Sequence, residues 1–221
     1  MTNMIREPAI SDLDWQADNQ AFLELEMQWL RLLLHRRILW LRKQWQQDEI
    51  QPYQGWVITD SKADWILAGE DFDAEMNFYC QDPVAASLTE KIELSENALA
   101  DRLQAMVEGE MPPAIDILSM LFGLSSFERH TLLLCLAPML DQSFEQLFAY
   151  VQDDVNRKYP TPYLSLTLFQ EREADIQLIR DAFMPYAPLR RFRLLTLGNA
   201  PEGTAPGARP MYLDERIAAY L

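Results

Sequence analysis

His130 and Cys135 are residue types that could serve as a general base and a nucleophile. That chemistry requires the imidazole and thiol to meet within hydrogen-bond reach. Five residues apart on one helix, they are turned from each other by about 140° at roughly 100° per residue. A partly exposed histidine and a core cysteine are therefore expected. His35 is the only other histidine, so a histidine-based metal site is not expected. Gly198-Asn-Ala-Pro-Glu-Gly203-Thr204 has the outline of a phosphate loop. Such a loop needs lysine after its second glycine to reach the outer phosphates. Thr204 stands there instead, and Pro201 interrupts the run, so the segment reads as a flexible loop tip.

Two carboxylate clusters remain: Asp153-Asp154, and Glu70, Asp71, Asp73 and Glu75. Paired carboxylates can hold a divalent cation or share a proton. Neither cluster has the glycine turn or ligand spacing of a calcium loop, and both read as solvated surface charge. Arg190, Arg191 and Arg193 form a basic knot, read as intramolecular ion pairs or a protein-contact patch. No catalytic, cofactor or metal site is expected, and the chain is not read as an enzyme.

The elements that carry these residues are mostly helical. Leu23, Met27, Leu30, Leu34, Ile38, Leu41 and Trp45 recur at spacings of four and three, predicting a long helix from Asp18 to about Gln47. Phe22, Leu25, Trp29, Leu32, Leu33, Leu39 and Trp40 widen its apolar arc beyond a coiled-coil seam. Packing in a helical core is favoured over lying on a membrane. Gly55 to Thr59 reads as a short strand, and Asp60 caps a brief helix ending at Gly69. Residues 70–94 suggest a short helix and a loop around Pro83, after which Ser95 caps a helix ending before Gly109.

The run Glu108-Gly-Glu-Met-Pro-Pro113 marks the expected domain boundary. Helices then begin at Pro112-Pro113 and close at Gly123, begin at the capping box Ser125-Ser-Phe-Glu128 and run to Pro138, and span Asp141 to about Arg157. Others are expected from Thr161-Pro162 through Phe169 and from Arg172 to Met184. Arg193–Leu197 and Arg209–Leu213 read as a hairpin whose tip is Gly198 to Ala208, and Asp214 caps a last helix. Helices followed by a two-stranded hairpin are the parts of a winged-helix domain. The expected fold is mainly α with a small β component: an N-terminal helical region, 1–110, then a winged-helix-like domain, 111–221, with a hairpin wing.

Composition narrows the function. The chain has 221 residues, 49% of them hydrophobic, enough for a substantial core. Its formal net charge is −15, and residues 60–116 alone hold 14 acidic against three basic residues. Such a field repels phosphate backbones and anionic lipid. The helix from Pro162 to Phe169, near the recognition position of a winged helix, contains no Lys, Arg, Asn or Gln to read bases or grip phosphates. Two isolated cysteines suggest a reducing compartment with buried thiols. No secretory signal or membrane-spanning run is visible, giving a cytoplasmic expectation.

The second half also resembles a known family. Leu121-Phe-Gly-Leu-Ser-Ser-Phe-Glu-Arg129 and Leu132-Leu-Leu-Cys-Leu-Ala-Pro-Met-Leu-Asp141 look like the region ahead of the ATPase module in a bacterial AAA+ family. So do Tyr150-Val-Gln-Asp-Asp154, Arg157, Pro160-Thr161, Pro188-Leu-Arg190, Leu213-Asp-Glu-Arg-Ile217 and Tyr220-Leu221. Members include ATPases encoded with extracellular contractile injection systems. The likeness covers roughly 112–221 and rests on caps and core leucines. It implies a winged-helix region followed by a motor with a phosphate loop, an acidic magnesium motif and an arginine finger. None of those motifs stands here, so the resemblance implies the N-terminal portion of a longer ATPase. The expected role is adaptor-like, towards a protein partner or the chain's own ATPase domain, with a homo-oligomer formed through the parent ring. The residues singled out for contact are Arg190, Arg191, Arg193, Asp71, Asp73 and Glu75. A nucleic-acid-binding regulator is the second reading.

Overall fold

The computed structural model describes residues 10–45, 72–169 and 181–221, with isolated positions at 60, 63, 64, 67 and 69. The expected Gly55–Thr59 strand, most of the 60–69 helix and most of the 172–184 helix lie outside the described residues. Helix α1, Ile10–Trp45, has 36 residues and is about 54 Å long at roughly 1.5 Å per residue. Phe22, Leu23, Trp29, Leu30, Leu33, Leu34, Ile38, Trp40 and Leu41 are buried along it. Glu24, Gln28, His35 and Arg42 face out. An arc that wide must be covered from several sides, and five later helices pack on it.

Helix α2, Phe72–Gln81, and α3, Pro83–Glu108, replace the expected loop and later helix start. Pro83 opens α3: its missing N–H falls where the helix has no use for one. The Asp82 carboxylate accepts from the amides of Val84 and Ala85. Ser95 is therefore mid-helix, because the stronger Asp82-Pro83 start had already been made upstream. The Trp40, Phe78, Tyr79 and Ala85 side chains form a small satellite core under α2.

Four more helices follow: α4, Ala114–Phe122, α5, Ser126–Leu140, α6, Ser143–Val151, and α7, Pro162–Phe169. Gly123 ends α4 with φ +63, a left-handed conformation that costs glycine little. The capping box at Ser125 and Glu128 is complete. Helix α5 continues past Pro138 to Leu140, since a proline so near the end disturbs only the last turn. Helix α6 stops at Val151, short of Arg157. There Gln152 folds the chain back: its amide donates to the carbonyls of Phe148, Arg157 and Tyr159, and its oxygen accepts from Thr161.

A one-turn helix α8, Pro188–Arg191, leads into the hairpin of β1, Leu195–Leu197, and β2, Met211–Leu213. The strands are antiparallel, with Thr196 opposite Tyr212. Leu195, Met211 and Leu213 point into the core, while Thr196 and Tyr212 face solvent. The tip is tied down: a 3-10 turn at Pro206–Ala208 seats Gly207 so tightly on the Tyr163 ring that a Cβ would overlap it. Helix α9, Glu215–Tyr220, starts at the expected Asp214 cap.

One hydrophobic core runs from Phe22 on α1 through Leu132–Ala137 on α5 to Leu221. It does not divide at residue 110. Trp15 donates from Nε1 to the Pro112 carbonyl at 3.0 Å, and buried Asn19 ties both ends of the second half. Its amide donates to the Leu221 carbonyl at 2.7 Å, and its oxygen caps α4 by accepting from Ala114 at 2.8 Å.

Candidate functional site

Helix α7 precedes the wing in chain order, with residues 170–180, outside the described residues, and α8 between them. Thr161 caps it, accepting from the Leu164 amide. Pro162, Leu164 and Ser165 are buried, and Tyr163 and Thr167 are its exposed side chains. A cleft of about 190 Å³ lies beside it, lined by Arg37, Trp45, Arg157, Tyr163 and Thr167 among others. Its two arginines already meet carboxylates, Arg37 with Glu75 at 2.6 Å and Arg157 with Asp154 at 3.1 Å. The cleft therefore offers no surplus positive charge to a phosphate.

The three arginines singled out by sequence separate in the fold. Arg190 is half-buried and donates from Nη1 to the Phe183 carbonyl at 3.0 Å, fixing the turn before α8. Arg191 and Arg193 are exposed, and no described carboxylate pairs with either, so ion pairing does not explain them. Arg191 lies 5.4 Å from the Phe192 ring centre. Arg193 sits at φ +55, closing α8 as a left-handed cap. Phe192 meets Phe122 at the end of α4, ring centres 4.9 Å apart. Around this contact Met120, Leu121 and Tyr186 are exposed.

Of the acidic candidates, Asp71 lies outside the described residues and Asp73 is exposed. Glu75 is not the expected surface charge. It turns inward to pair with Arg37 and accepts from the Tyr79 hydroxyl. Burial, and then the Glu75 charge, push the Tyr79 phenol well above its ordinary range. Asp153 takes a left-handed conformation, φ +48, at the end of α6, and Asp154 pairs with Arg157. Among the described residues no group of His, Cys, Asp and Glu could hold a metal ion. At the mock phosphate loop, Thr204 donates from its hydroxyl and amide to the Pro201 carbonyl, and the Gly198 amide donates to Pro210.

His130 and Cys135 have no catalytic relation. Cys135 is fully buried, which pushes its thiol far up. Cys80, expected buried, is exposed. The His130 ring packs against both Trp29 and Phe169, with ring centres at 4.7 and 5.3 Å, while those two rings stack on each other at 6.0 Å. Burial, and the neighbouring Arg129 charge, lower its pKa to about 4. Sequence reasoning passed over the charged residue with the most structural consequence, Arg129. It reaches across from α5 to Glu26 on α1 and, bidentate at 3.1 Å, to Asp116 on α4. Burial is the largest single influence on Arg129 and opposes its charge, but Glu26 and Asp116 together outweigh it and the guanidinium pKa is raised; burial also raises that of Glu26. In sequence Arg129 sits between Glu128 and His130 in the first turns of a helix that becomes apolar after them, with nothing to name its partners.

No described helix is long and apolar enough to cross a membrane. No curated protein and no solved structure matches the chain. A family model described as a winged helix domain, variant, matches residues 8–221, spanning α1 as well as the hairpin. With the helices, the wing and that match in agreement, the chain belongs to the variant winged helix domain family.

Proposed function

We propose that this winged helix domain works by binding protein, as a recognition or assembly module ahead of an AAA+ ATPase motor. The observation that carries the reading is helix α7. Chain order puts this helix near the recognition position, and its most exposed side chains are Tyr163 and Thr167, with Leu166, Leu168 and Phe169 partly exposed. It has no side chain able to make a bidentate contact to a base or to neutralise a phosphate. The net charge of −15 works in the same direction. The AAA+ half of the proposal rests on the resemblance of 112–221. The chain itself supplies no motor and requires no cofactor, and the proposed compartment is the cytoplasm.

Fluorescence anisotropy with labelled duplex and single-stranded DNA at low ionic strength tests the reading. No binding is expected. Binding that weakens steeply with added salt would overturn it in favour of a nucleic-acid-binding regulator. The motor half is tested separately: the coding frame beyond codon 221 should run on into a phosphate loop bearing its lysine.

A further inference from the structure

The surface where α4 ends against α8 differs from the rest of the molecule. Leu121 and Met120 are 71% and 70% exposed, and Phe192 and Tyr186 stand open beside or near the Phe122–Phe192 contact. Arg191 and Arg193 add two positive charges that no described carboxylate neutralises. On a protein of net charge −15, cations left unpaired next to exposed apolar side chains mark a place where another surface is meant to sit. Apolar and arginine side chains together are the chemistry of a protein interface.

The same chain carries a surface of matching chemistry. Helix α3 is 26 residues long and buries one side. Its opposite side presents Glu90, Glu93, Leu94, Asp101 and Glu108, all exposed and spaced along one stripe at helical intervals. None of these carboxylates is paired with a described cation, whereas Arg102 on the flank is already held by Asp18. The stripe thus offers negative charges flanking an exposed leucine to a patch offering positive charges flanking exposed Met, Leu and Phe.

We propose that the Arg191–Arg193 patch of one copy docks on the acidic α3 stripe of a second copy of this chain. Because the two surfaces are unlike, the contact repeats from copy to copy and builds a ring or filament. Complementary charge sets register and the apolar residues supply burial. This inference rests on the protein-binding reading and names its partner.

Sedimentation velocity of the purified chain over a range of concentrations at low ionic strength is the test. Reversible self-association that weakens with salt is expected. Arg191→Glu with Arg193→Glu should weaken it roughly tenfold or more, since two attractions become repulsions. Glu93→Lys with Asp101→Lys should do the same, and combining all four changes should restore association. Arg193→Gly provides a further check, because glycine suits the left-handed cap and should leave the fold intact while weakening association. A chain that stays monomeric at its highest soluble concentration, or association indifferent to both charge reversals, would overturn the proposal. Neither result bears on DNA binding, whose anisotropy assay judges the protein-binding reading on its own.

Discussion

Acid should undermine this fold through His130. The imidazole lies against the Trp29 and Phe169 rings with the Arg129 charge nearby, and its pKa falls from 6.5 to about 4. A depressed histidine stays neutral in the folded state while the unfolded chain takes up a proton. Its contribution is therefore present above about pH 6.5 and lost as pH falls towards about 4. At about 1.4 kcal/mol per pKa unit the full contribution is roughly 3 kcal/mol, and about 2 kcal/mol of it vanishes between about pH 7 and pH 5. His130→Phe keeps a ring in the slot and removes the titration. Urea unfolding of both proteins across that range should give curves that diverge, the native protein losing about 2 kcal/mol more than the variant. Glu26, whose raised pKa acts in the opposite direction, is present in both proteins and cancels in the difference. Parallel curves, or a His130 pKa near 6.5 or above by NMR, would refute the reasoning. That result would mean the ring faces stabilise the imidazolium more than burial opposes it.

Two substitutions probe the contacts that join the halves of the chain. Arg129→Met strands Glu26 and Asp116 as buried like charges and should cost about 3–5 kcal/mol in urea unfolding, part of it recovered when Glu26→Gln is added. Asn19→Ala leaves the Leu221 carbonyl and the Ala114 amide without their partner and should cost roughly 1–3 kcal/mol, with hydrogen exchange rising at the start of α4.

Local signals made much of the fold readable. The stripe of α1, the capping box at Ser125, Gly123 after α4, Thr161 before α7 and the hairpin strands are set by side chains within a few residues, and they stand where expected. The α3 start is equally local, in Asp82-Pro83, but a proline at the first helical position looks in sequence like the loop expected around Pro83. What crosses the chain was hidden. Asn19 caps a helix 95 residues away, and Arg129 finds Glu26 103 residues away; no spacing rule foretells either partner. The core that runs past residue 110 follows from α1, whose apolar arc is too wide to be covered by the first half alone. The arginine trio was visible as a cluster. Its division into one structural and two exposed members depends on where the Phe183 carbonyl falls.

The central claim, that the working surface of this domain meets protein and not nucleic acid, is tested most directly by photo-crosslinking in cells. A photoreactive amino acid placed at exposed Tyr163 on α7, and separately at exposed Tyr212 on the wing, samples the helix named in the proposal and the wing. The account predicts adducts that protease destroys and nuclease leaves unchanged. Adducts from either position that nuclease destroys would contradict it.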